Sequence, residues 1–230
     1  MRKLFLAMPL VILIMCTISC RQTRSKSNAE TANIEVIEYN DSVIITPAVN
    51  VERELEDGFA YGFVEQVRKM YGEEENSMIN AFACYMETFV KGDVESCKKY
   101  FDHDMFLYFK KLAQREGIVI DLDDLVGSMS SEIKTLHEEL IKNEMQLKFC
   151  LACLDRRINY GDNIFIIFSN AMNIVDKDNI AVHFIPLETT VGISKDKGKT
   201  WAFVGLIDDS FPSIYADVYS QEVIDAIMNY

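Results

Sequence analysis

Apolar residues recur at steps of three and four from residue 51 onward. Leu55, Phe59, Phe63, Val67 and Met70 form one stripe, and Ile79, Phe82, Met86, Phe89 and Val90 form a second. This is the repeat of a helix with one buried face, so both stretches predict amphipathic helices, the second with Ser77 as its N-cap. A third run carries Val94, Cys97, Tyr100 and Phe101, then, after a kink at "FDHD", Phe106, Phe109 and Leu112. Gly92 and Asp93 between the second and third runs read as the end of one helix and the cap of the next. The fourth stripe is Leu125, Met129, Ile133, Leu136 and Leu140, closing near Asn143.

Beyond residue 145 the period changes to two, or to unbroken apolar runs. "QLKFCLACLDRRI", "NIFIIFSNAMNIV", "NIAVHFIPLETTVGI" and "TWAFVGLI" predict four strands separated by the turn-rich links "NYGDN", "DKDN" and "KDKGK". Short links make the strands antiparallel neighbours. Residues 221–230 predict a short closing helix, and "IEVIEY" and "SVIITP" predict short extended pieces. Helices first and strands afterwards give an α+β class: N-terminal helices packed on a C-terminal four-stranded antiparallel meander.

The strands carry a second message. In "FCLACL" both Phe149, Leu151 and Cys153 and the alternate set Cys150, Ala152 and Leu154 are apolar, and "IFIIF" repeats the pattern. A sheet with one solvated face would alternate, so something must cover the side away from the helices. The segment 34–50, the C-terminal helix and a second copy of the chain are the three candidates, which leaves a homodimer open.

The first twenty residues change the picture of location. Arg2 and Lys3 precede an apolar run of about a dozen residues, too short to span a bilayer and typical of an export leader. Its end, "CTISC", resembles a bacterial lipobox with Cys20 as the lipid-bearing residue. Simple secretion after Ser19 and an uncleaved anchor are the alternatives. Residues 21–33, "RQTRSKSNAETAN", lack aromatic and large apolar side chains and read as a flexible tether. The organisation is therefore a leader over 1–19, a tether and extended segment over 20–50, and one domain over 51–230. The expected place is the cell envelope, on the outer membrane facing the periplasm.

Charge excludes one class of partner. The chain has 23 Lys and Arg against 36 Asp and Glu, and losing Arg2 and Lys3 with the leader makes it more acidic still. Such a chain repels nucleic acid and anionic headgroups, so membrane attachment would rest on acyl chains. Of six cysteines, Cys84, Cys97, Cys150 and Cys153 remain once Cys16 leaves with the leader and Cys20 is lipidated, and an oxidising compartment allows them three pairings. Cys150 and Cys153 have redox-motif spacing, but they lie in an apolar strand where positions three apart face opposite ways. His103, His137 and His183 are scattered. "FDHD" and "DLDD" read as helix caps and "DKDN" as a turn, so no metal or cofactor is expected.

The stretch from Ser194 to Phe203, "SKDKGKTWAF", has the Ser-x-Asp-x-Gly-x-Thr-Trp spacing of the hairpin repeated around sialidase propellers. A propeller needs this unit every 40–50 residues or so, and there is one copy. A sialidase also needs an arginine cluster, whereas Arg156 and Arg157 are strand neighbours that point apart. The stretch predicts a folding element: Asp196 accepting amides across a bend, Gly198 at positive φ, and Trp201 covering it.

The series "MINAFACYMETFVKGDVESCKKYFDHDMFLYFKKL", a further helix, a four-stranded meander and that late hairpin together resemble the nuclear transport factor two-like superfamily over residues 77–207. Gly92-Asp93-Val94-Glu95 and Ser194 to Phe203 carry the resemblance. It implies a cone with a pocket between helices and sheet, catalytic in some relatives and used for binding or filled in others. Tyr85 and His183 are the pocket candidates it suggests, although a buried histidine more often serves packing. No residue set assembles catalysis, so a tethered binding or interaction module is the leading expectation, acting on a protein or small molecule the sequence does not identify. A small-molecule enzyme using the pocket and an accessory or inhibitory subunit of an envelope complex are the alternatives.

Overall fold

The structure, a computed structural model, describes residues 33–39, 46–47, 71–178, 180–186, 189–206 and 210–229. The leader with Cys20, most of the tether and the stripe from Leu55 to Met70 lie outside them.

Helix α1 (Glu73–Lys91) has Glu73, Glu74 and Glu75 in its first turn and Lys91 in its last, both favourable to the helix dipole. It starts at Gly72, so Ser77 lies inside the helix and is not its cap. Gly92, at φ +68°, ends it: its amide donates to the Phe89 carbonyl and the Asp93 amide to the Thr88 carbonyl. The Asp93 carboxylate then accepts from the Ser96 amide and opens α2 (Val94–Cys97), which runs into a single 3₁₀ turn, Lys98–Tyr100. Both roles expected of the Gly92–Asp93 step are present. After an extended Phe101, Asp102 caps α3 (His103–Arg115). Asp121 caps α4 (Leu122–Lys142), which closes at Asn143 as expected.

Seven described strands form one antiparallel sheet: β1 (Ile34–Glu38), β2 (Thr46–Pro47), β3 (Gln146–Tyr160), β4 (Asn163–Val175), β5 (Ala181–Pro186), β6 (Thr190–Ser194) and β7 (Ala202–Gly205). The order is β1-β3-β4-β6-β7, with β2 also on β3 and β5 also on β4. The third expected strand is thus two. β5 pairs with the Ala171–Val175 half of β4 and β6 with the Ile164–Phe168 half. Pro186, at the end of β5, has no amide to continue a ladder.

β3 and β4 are long and paired along their length, with register shifts between Leu151 and Cys153 and between Leu154 and Arg156. Leu147, Leu151 and Leu154 consequently sit opposite Ile174, Asn170 and Phe168, three positions on the same face of β4. Without the shift Leu154 would face the other way. This is the face that meets the helices: the Phe82 ring of α1 packs edge-on against Phe168, 4.8 Å between centroids.

The opposite face, with Ile158, Phe165 and Ile167 fully buried, is covered from within the chain. Two C-terminal helices lie there, α5 (Ser210–Tyr215) and α6 (Gln221–Met228), and the Tyr219 ring between them meets Phe165 edge-on at 5.0 Å. Of the expected covers, the C-terminal helix is present among the described residues. The described parts of 34–50 instead extend the sheet edgewise through β1 and β2. With helices on both sides, both faces of β3 and β4 can be apolar, which accounts for the missing alternation.

Candidate functional site

Between α1, α4 and the sheet lies a cavity of about 210 Å³. Phe82, Tyr85, Met86 and Phe89 reach it from α1 because they recur at steps of three and four on one helical face. Met129 and Ile133 do the same from α4, and Asn170, Thr190 and Phe203 form the sheet side. The Tyr85 ring stacks on Phe203 at 5.3 Å and meets Phe89 edge-on at 4.8 Å, so three aromatic rings set the wall's shape. The Asn170 side-chain amide donates to the Thr190 hydroxyl at 2.7 Å. Tyr85 is the one titratable residue in the lining. Burial raises its phenol well above its ordinary pKa, so it is neutral across the physiological range.

The two expected pocket residues are not brought together. Tyr85 is in the cavity wall, but His183 sits on β5 opposite Ile174, exposed to solvent and outside the lining. The apolar context "AVHFI" suggested burial. β5, however, has one strand neighbour among the described residues, and an edge strand leaves its outward positions wet. Asn170 and Thr190 were not foreseen. Their signal was a polar residue inside an otherwise apolar strand.

The "SKDKGKTW" hairpin is a closed hydrogen-bond unit. Asp196 Oδ1 accepts from the Thr200 amide at 2.9 Å, the Lys199 amide at 3.1 Å and the Ser194 hydroxyl at 2.8 Å, while Oδ2 accepts from the Thr200 hydroxyl. Burial alone would raise this carboxyl, yet the donors hold it below its ordinary value. Gly198 has φ +82°. Trp201 is buried, and its Nε1 donates to the Ser77 hydroxyl, which itself donates to the Gly198 carbonyl at 2.9 Å. The unit therefore docks on the first turns of α1.

Two buried ionic clusters were not read from the sequence. Asp102, 2% exposed, accepts from the Met105 amide, the Tyr215 hydroxyl at 2.8 Å and Lys195 Nζ at 3.1 Å. "FDHD" thus caps a helix, but through a buried carboxylate and not a solvated one. Lys195 also pairs with Asp104. Burial lowers the Lys195 pKa and the two carboxylates raise it, with a net rise. Glu75, 4% exposed, accepts from the Tyr39 hydroxyl and from Arg157 at 2.8 Å. Against burial, which raises it, these donors hold the carboxyl below its usual 4.5. Each cluster joins residues from distant parts of the chain, which spacing along the sequence cannot show.

Among the described residues no three His, Cys, Asp or Glu come together in a metal-holding group. Cys84, Cys97 and Cys153 are free thiols, and burial raises Cys153, contrary to what a redox thiolate needs. The register corrects one expectation: Cys150 pairs with Ala171 and Cys153 with Ser169, so the bulge places both positions on one face of the sheet.

No described helix is long and apolar enough to cross a membrane. No protein-family model, curated protein or solved structure matches the chain.

Proposed function

We propose that the protein is an envelope lipoprotein, tethered through Cys20, whose domain is a non-catalytic binding module of cone-like, nuclear transport factor two-like type. The observation that carries the reading is the cavity between α1, α4 and the sheet. Its wall is aromatic and aliphatic, with Asn170 and Thr190 as its polar spot and a single titratable group, Tyr85. Proton-transfer catalysis needs an acid and a base facing one reacting centre, and a lone neutral phenol supplies neither pair nor poise. Binding needs only shape, apolar surface and a few placed polar groups.

Two measurements test it. Cys20→Ser should move the protein from the membrane fraction to the soluble one. Filling the cavity by Met129→Trp should abolish binding of small apolar probes while the protein stays folded. Unchanged fractionation would remove the tether, and unchanged probe binding would remove the cavity as the site.

A second reading, an accessory subunit gripping a partner protein, draws on β5. Val182 is 54% exposed and Ile180, just before the strand, 61%, and the strand carries no Lys, Arg, Asp or Glu to discourage pairing. A homodimer is not required to cover the outer sheet face, which α5 and α6 already cover.

A further inference from the structure

The cavity has one stiff side and one yielding side. On α1 and the sheet, the rings of Phe89, Tyr85, Phe203 and Phe82 follow one another in contact, with centroids 4.8, 5.3 and 5.3 Å apart, and none is more than 7% exposed. Phe168 backs Phe82 at 4.8 Å. A ring packed in this way moves only if its neighbours move, so this side keeps its shape. On α4 the lining is Met129 and Ile133, both only partly buried. Ile133 is β-branched and stiff, whereas the unbranched side chain of Met129 can swing. Met86, the other methionine of the lining, is held in the core.

Charge and size restrict what can enter. Among the described residues the lining holds no Lys, Arg, His, Asp or Glu, so a charged group placed there would be buried without a counterion. An apolar cavity of roughly 150 Å³ suffices for benzene, and drug-sized ligands need about 300 Å³ or more. At about 210 Å³ this one fits a single substituted ring, and a second ring has to come at the expense of the side that can yield.

Given the cavity as the binding site, on which this rests, we propose that it admits an uncharged apolar molecule no larger than a single substituted ring, and that Met129 is the residue that sets this limit. Shortening Met129 adds room where the wall is not held by stacked rings. The aromatic side, by contrast, cannot be thinned without loosening the core it belongs to.

The test is equilibrium dialysis of toluene, naphthalene and benzoate against the full-length protein and against Met129→Ala. The unsubstituted protein should bind toluene, naphthalene no more tightly, and benzoate at least about a hundredfold more weakly than toluene. In Met129→Ala the order of the two hydrocarbons should reverse, with naphthalene binding gaining roughly tenfold or more. Met129→Val, a milder truncation, should move naphthalene the same way and carries the comparison if Met129→Ala does not fold. If naphthalene gains nothing in either variant, Met129 does not set the limit, while the cavity stands as a site. Naphthalene binding the unsubstituted protein more tightly than toluene overturns the size limit, and benzoate binding as tightly as toluene overturns the exclusion of charge. If none of the three binds the unsubstituted protein, the cavity is not a small-molecule site and both readings fall.

Discussion

Arg156 and Arg157 are consecutive on β3, yet their guanidinium groups serve opposite sides of the sheet. Arg157 pairs with Glu75 at the start of α1, whereas Arg156 donates to the Ala226 and Asn229 carbonyls at the end of α6 and pairs with Glu38. Two residues thus clamp the helical layers in front of and behind the strands, and they do so because successive strand positions face opposite ways.

The two arginines should differ in what they contribute. The Arg157–Glu75 pair is almost wholly buried, with side chains 14% and 5% exposed, so Arg157→Ala leaves a carboxylate without its cation. That should cost about 3–5 kcal/mol. Arg156 faces the well-exposed Glu38, and Arg156→Ala should cost about 1 kcal/mol, chiefly through its helix-end carbonyl bonds. Urea unfolding of the two variants gives the comparison, and equal losses would contradict the burial argument.

Acid should weaken the same contact. Because the folded state holds the Glu75 carboxyl below 4.5, its contribution is fully present above that pH and is lost as pH falls through the lower folded value. Glu75→Gln should therefore be less stable than the parent near neutrality, and the gap should close on descending below pH 4.5. A gap independent of pH would show that the Glu75 charge contributes nothing.

Position 198 tests the hairpin. Gly198 sits at φ +82°, and a Cβ there would lie 2.8 Å from the Glu74 Cγ, so Gly198→Val should destabilise by more than about 1 kcal/mol. Gly161, at φ +59°, has open space around it. Gly161→Ala should show only the backbone penalty, about 1 kcal/mol. Thermal melts close to the parent's for Gly198→Val would mean the bend accepts a side chain after all.

Tyr215 is the remaining probe of the buried clusters. Its hydroxyl bond to Asp102 joins α5 to the start of α3, and losing a bond to a charged group costs about 1.5–3 kcal/mol. Tyr215→Phe should show that loss in chemical unfolding, whereas a Tyr108→Phe control, with no hydroxyl bond among the described residues, should not.

Much of the fold was legible because it is written locally. The stripe through Phe82, Met86 and Phe89, the Gly92–Asp93 step and the Ser194–Trp201 bend each depend on residues within a turn or two of one another. Ser77 misled because its capping chemistry is real but is spent on Gly198 and Trp201, 121 and 124 residues away. The helix α5 was missed because Pro212 breaks any helical signature and its burial comes from packing on α3, far away in sequence. For the site, Tyr85 was visible as part of an apolar stripe. His183 was misplaced because apolar neighbours do not distinguish a central strand from an edge.

The pairing of Ile34 with Tyr160 fixes where the chain enters the sheet: at the turn joining β3 to β4, beside the first residues of β4. Asn170, in the cavity wall, lies seven residues further along that strand, a rise of about 23 Å. If the chain is tethered through Cys20 as proposed, strand β4 runs from the point of entry towards the cavity, and the proposed site would lie at the far end of that strand from the tether.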